Sequence, residues 1–149
     1  MAKAEERIHD ELVDSLQGEK IVTLVTKDAE TNEPELSIIS WLVAHPGGKT
    51  IKFAVGHNAD SATNIQENPQ IVLGVTGAES CYSIKGKATV SDVIEKTMKL
   101  RVITVEVESV KDVIFYGGKI TSETTYEKTY DPKLAEKLDS EIYSLLNEA

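Results

Sequence analysis

The sequence predicts a mainly β fold with flanking helices, a small barrel of about six or seven mostly antiparallel strands. Three observations lead there. Runs rich in β-branched residues recur, several with two-residue alternation, and short polar turns separate them. Only one short helix interrupts those runs, too few for the repeated right-handed crossovers of a parallel sheet. Gly86 breaks the cleanest alternating run, as a bend or bulge does where a sheet curls.

Taken in order, residues 3–17 place Ala4, Ile8, Leu12, Val13 and Leu16 at helical spacing with charged residues opposite, so an amphipathic helix is expected there, stopped by Gly18. His9 lies off the apolar stripe and reads as a surface residue. Residues 20–27, KIVTLVTK, form a strand. Residues 28–33 are a polar turn, and residues 36–44, LSIISWLVA, are a second strand. That strand is apolar on both faces, so it should be central or covered by another element. His45, Pro46, Gly47 and Gly48 turn the chain into a third strand over residues 49–55. Gly56, His57 and Asn58 form the next turn, and Asp60 or Ser61 can cap a short helix carrying Ala62 and Ile65. Asn68 and Pro69 end it, because the residue before proline is pushed out of the helical region.

Strands follow at residues 70–75 and 81–90. In the second, Tyr82, Ile84, Gly86, Ala88 and Val90 share one face and Ser83, Lys85, Lys87 and Thr89 the other. Asp92 and Glu95 have capping-box spacing, so residues 91–99 allow one or two helical turns. Residues 100–110 are a strand, residues 111–119 a short edge strand and turn, and residues 120–130 a polar, ordered tail with scattered aromatics. Pro132 opens a last helix to about residue 147, with Leu134, Leu138, Ile142 and Leu145 as its apolar stripe. The length suits one domain over residues 1–149.

The net charge of −9 argues against a nucleic-acid partner and against adsorption to an anionic membrane. Cys81 is the only cysteine, so no internal disulfide is possible, which fits a cytoplasmic protein. The first residues carry no apolar run, so neither a signal peptide nor a membrane span is expected there. The three histidines stand apart at positions 9, 45 and 57, which makes a zinc site improbable. Phosphate-loop, dinucleotide-fingerprint, HExxH and nucleophile-elbow motifs are absent from the sequence. No base is visible for Cys81, and Trp41 reads as core or subunit contact.

Chemistry concentrates at residues 53–75, FAVGHNADSATNIQENPQIVLGV, where a strand end feeds a helix N-terminus. Free N–H groups at such a place make an anion site, although an ordinary strand–helix–strand connection has the same pattern. This stretch, followed by IKGKATV at residues 84–90, resembles the pyridoxamine 5′-phosphate oxidase-like family of FMN-binding split β-barrels. The resemblance runs over roughly residues 12–110. It implies a split barrel and a homodimer with FMN clefts at the subunit interface. The dense apolar strand at residues 36–44 also calls for cover by a second copy.

Carried onto this chain, the resemblance places the flavin against Ser37, Ile38, Ile39, Ser40 and Trp41, and against Phe53, Ala54 and Val55. The phosphate end falls on Ala59, Asp60 and Ser61, near Asn64, and His57 is either a donor to flavin or substrate or a plain turn residue. The chain departs from the family pattern here. Flavin-binding relatives usually have a serine or threonine and then a basic residue in this loop, and an arginine near Ser37. Asp60 opposes a phosphate unless it points away or caps the helix, and backbone N–H groups, Ser61 and a lysine from elsewhere such as Lys52, Lys85 or Lys87 are the donors that could compensate. The arginines and histidines of true pyridoxamine 5′-phosphate oxidases are not recognisable. The expected function is therefore an FMN-binding protein, with flavin-dependent oxidoreduction of a small molecule in view and no catalytic residue assigned. The alternative is a non-catalytic binding or stress-associated split barrel that has lost flavin.

Overall fold

In the computed structural model, which describes residues 3–148, the alternating runs pair into a single antiparallel sheet. Its strands are β1 (Val22–Lys27), β2 (Pro34–Ile39), β3 (Leu42–Ala44), β4 (Thr50–Gly56), β5 (Gln70–Gly77), β6 (Ser80–Val90), β7 (Ile94–Glu95) and β8 (Lys99–Asp112). Helices are α1 (Asp10–Ser15), α2 (Asp60–Glu67) and α3 (Pro132–Leu146). The sheet order is β2-β1-β5-β6-β8-β4-β3, with β7 added to β8. The segments β2 and β3 are neighbours in the chain yet lie at opposite ends of this order. The bend at Ser40 and Trp41 therefore joins the two sheet edges and makes the sheet a split barrel, mainly β with flanking helices, as the sequence predicts.

Inward residues of alternate parity fill the barrel. Leu24, Ile51, Phe53, Leu73, Ile84 and Ile103 are fully buried, and removing each such side chain from water contributes about 1.5–3 kcal/mol. At Gly86 the β6–β8 register slips by one residue. A Cβ there would come within 2.6 Å of the Glu106 carbonyl oxygen, so only glycine lets the strands approach at the bulge. On the other side of β3 and β4, α3 lays Leu138, Ile142 and Leu146 over Val43, Ala54 and Leu100. The Asp131 carboxylate caps that helix by accepting from Leu134 N–H at 3.0 Å.

Seven local expectations change. The N-terminal helix is confined to α1, because Glu5 instead pairs with Val110 as an extended bridge and Ile8 N–H donates to the Gly48 carbonyl. His9 caps α1, its Nδ1 accepting from Leu12 N–H at 3.2 Å, and its ring meets Tyr82 edge-on. Residues 36–44 form two strands, not one, with the bend between them. The Asp92/Glu95 spacing builds no helix; residues 94–95 pair with β8 as a short hairpin. The β8 ladder runs on to Asp112, and residues beyond it form no edge strand. The N-cap of α2 is Ala59, so neither Asp60 nor Ser61 caps it. The stripe of α3 is shifted too: Ala135, Leu138, Ile142 and Leu146 are buried while Leu134 is exposed.

Candidate functional site

The bend between β2 and β3, the end of β4 and the start of α2 border one cleft. Its volume is about 400 Å³, and Ser37, Ile38, Ile39, Ser40, Trp41, Ala54, Val55, Gly56, Ala59 and Ser61 line it. That size lies in the range of small-molecule sites. Most of the residues expected to hold a flavin thus meet at one place, although they come from three separate elements.

The phosphate end has two sides. Ala59 offers no side-chain cap, so the first N–H groups of α2 have no side-chain partner, and Ala59 and the buried Ser61 at this helix start line the cleft. Asp60 is exposed and does not line the cleft. Asn64, expected near the phosphate, is locked into the fold. Its Oδ1 accepts from Ala29 N–H at 2.9 Å, and its Nδ2 donates to Thr26 Oγ1 and Glu35 Oε2, each at 3.1 Å. Both amide protons are used, so Asn64 ties α2 to the β1–β2 hairpin. Phe53 points into the barrel and is fully buried. His57 lies outside the cleft lining; its N–H donates to the Lys99 carbonyl and its own carbonyl accepts from Arg101 Nε at 3.3 Å.

Sequence reasoning missed two basic residues here. Arg101 stands opposite Val55 in the β4–β8 ladder and also donates through Nη1 to the Ser91 carbonyl at 3.0 Å, so it grips the turn before α2. Only the strand register reveals this. The second is Lys128, which lines the cleft with Tyr126 and Tyr130. Lys52, Lys85 and Lys87 do not line it; Lys52 donates to the Glu148 carbonyl, and Lys85 borders a separate apolar groove with Val25 and Val72.

Lys128 lies in residues 120–130, which have no regular secondary structure. Its ammonium is paired with Asp139 on α3 and with Glu19. The Asp139 Oδ1 also accepts from the Trp41 indole N–H at 3.0 Å, and Tyr126 donates to Glu19 Oε2 at 3.1 Å. Burial alone would raise the Asp139 carboxyl, but hydrogen bonds from Lys128 and Trp41 outweigh it and hold it below its ordinary range. Burial would likewise lower Lys128, and the two carboxylates reverse that. Beside them, burial pushes Tyr143 up to about 12, and its hydroxyl accepts from Glu19 N–H at 3.0 Å.

A larger cavity, about 640 Å³, lies at α1 between Asp10, Asp14, Gln17, His45 and Asn147. It presents two carboxylates and neither lysine nor arginine in its lining, which disfavours an anion there. Among the described residues no cluster of His, Cys, Asp and Glu has metal-binding geometry. None of their helices is long and apolar enough to cross a membrane.

The fold is shared widely. HupZ of Group A Streptococcus superposes with a TM-score of 0.60 at 15% identity, covering 77% of this chain and 99% of its own. General Stress Protein 26 of Bacillus anthracis gives 0.54 at 12% identity, over 66% of this chain and 88% of its own. HutZ, the heme storage protein of Vibrio cholerae, gives 0.51 at 16% identity, over 68% and 91%. At such identities these likenesses show the fold alone. No curated protein sequence matches the chain. The family model described as pyridoxamine 5′-phosphate oxidase matches residues 8–112, a span that holds the whole barrel and the barrel side of the cleft, and the chain belongs to that family.

Proposed function

We propose that the chain is an FMN-binding split-barrel protein that works as a homodimer. The observation that carries the reading is the uncapped start of α2, whose Ala59 and Ser61 line a cleft that is otherwise largely apolar and aromatic. That donor set fits a phosphate at one end and a flat ring at the other. Ser61 and the first N–H groups of α2 would hold the phosphate, while Ile38, Ile39, Trp41 and Ala54 would border the ring. Bound FMN would supply the redox chemistry, and the protein would supply position and exclude water. Oxidoreduction of a small molecule is the reaction such a flavin would serve, and no catalytic residue is assigned to it.

The dimer reading rests on the outer face of β2 and its neighbours. Leu36 and Ile38 are 64% and 57% exposed, and the register sets them against Val25 and Thr23 on β1. A second copy would cover this apolar strip. Light scattering at micromolar concentration should give about twice the 16.3 kDa chain mass; the chain mass itself would remove this part.

The alternative is a split barrel that binds another ligand or none. It is favoured by the cleft's only lysine, Lys128, being neutralised by two carboxylates. A visible spectrum of protein purified without added cofactor, followed by FMN titration, separates the two. Quenched flavin fluorescence and a raised melting temperature are expected; unchanged values for both would leave the alternative.

A further inference from the structure

The cleft has a wall that lies outside the family-matched residues 8–112. Residues 120–130 begin where Ile120 N–H donates to the Glu79 carbonyl at the β5–β6 turn. They pass Lys20, which pairs with Glu123 at 2.7 Å, and reach the cleft with Tyr126, Lys128 and Tyr130. Among the described residues no backbone hydrogen bond fastens 121–130 to the barrel. Side chains hold the segment, and Lys128 and Tyr126 are its half-buried anchors. Its two carboxylate partners come from different places: Glu19 precedes β1, and Asp139 sits on α3 and is itself held by Trp41.

We propose that residues 120–130 are a latched wall of the ligand cleft, with Lys128 as the latch and Tyr126 and Tyr130 as the surface against which a planar ring stacks. The chemistry of the latch decides which end of a ligand it meets. One ammonium between two carboxylates leaves a net negative site, which repels a phosphate and tolerates an uncharged ring. A phosphate is thereby directed to the α2 end, and the ring lies between the tyrosines and the β2–β3 bend. Lys128 is accordingly a positioning residue. The naming of the ring as a flavin rests on the FMN reading above; the latch does not.

The test uses the full-length protein with Lys128→Met, Lys128→Arg, Asp139→Asn and Tyr130→Ala. Latch opening is read without ligand, by chymotrypsin cleavage at Tyr126 and Tyr130 and by emission of Trp41, the single tryptophan. Lys128→Met and Asp139→Asn should speed cleavage and red-shift Trp41, and Lys128→Arg should behave like the parent. Unchanged cleavage in both uncharged variants would overturn the latch. Ring stacking is read by titrating FMN and riboflavin in parallel. Lys128→Met and Tyr130→Ala should weaken both ligands equally, by about three- to tenfold. A loss confined to FMN would make Lys128 a phosphate ligand and overturn the wall. If the parent binds neither flavin, the FMN reading and the stacking role fall together, while the latch still stands or falls on the cleavage result.

Discussion

The two walls of the cleft are built by different physics. The barrel wall, from β2, β3 and β4, is held by its strand pairings and by side chains such as Phe53 that are wholly removed from water. The opposite wall, residues 120–130, has neither ladder nor core and rests on ion pairs and tyrosine hydroxyls. Buried apolar side chains carry no charge to screen or titrate, whereas charge pairs respond to both salt and pH. One side of the site is therefore a fixed scaffold and the other an adjustable surface.

Breaking the fixed wall should have the largest effect. Phe53→Ala empties a fully buried position and should cost about 3–5 kcal/mol of folding stability by urea denaturation. Asn64→Ala should cost about 1–3 kcal/mol, because the Ala29 N–H and the Glu35 and Thr26 oxygens lose their shared partner. A loss as small as that of an ordinary surface change would mean water replaces the amide.

The adjustable wall should respond more weakly and to different variables. Lys128→Met should lower global stability by about 1 kcal/mol or less, since the pair is partly solvated. Its pH dependence has a definite sign. The Asp139 carboxyl is held below its ordinary value, so its stabilisation is present above about pH 4 and is lost as pH falls through the folded-state value. Lys128 is raised, so its share is complete at neutral pH and is lost only in strong alkali. Trp41 emission should therefore shift on acidification before far-ultraviolet circular dichroism reports loss of the barrel. Coincident transitions would show the two walls to be one cooperative unit.

The smallest effect belongs to the exposed Asp60. Asp60→Arg should tighten FMN by about twofold to fivefold, and added salt should shrink the gain. Ser61→Asp should weaken FMN, because a carboxylate is added at the mouth of α2. Equal affinity in both variants would place the phosphate elsewhere.

How much of this was legible follows the same division. Alternation at β6 and the single inserted helix announce the barrel, and Gly86 marks its bulge, because each is a local property. The barrel side of the cleft was partly readable for a similar reason: residues 37–41 border it as one run, and Ala54, Val55, Gly56, Ala59 and Ser61 come from one short stretch. The bend at Ser40 and Trp41 was not, since an unbroken apolar run carries no signal for a change of sheet edge. Neither was Lys128, because its partners Glu19 and Asp139 are remote or hidden in charged helical surroundings. Asn64 was placed near a ligand by position alone, and its saturated amide is a tertiary fact.

The bend has a mechanical consequence. Among the described strands β2 pairs only with β1, and β3 only with β4, so the closure has no strand ladder and is crossed only by the isolated Gln17–Val43 bridge, with Ala44 N–H donating to the Leu16 carbonyl. The cleft lies along that gap. Widening it flexes a hinge of two residues and costs at most that one isolated bridge, whereas widening at any paired edge would sacrifice a row of bonds. The seam is the direction of least stiffness in the barrel, and a ligand bridging it would act as a crosslink between the sheet's two free ends.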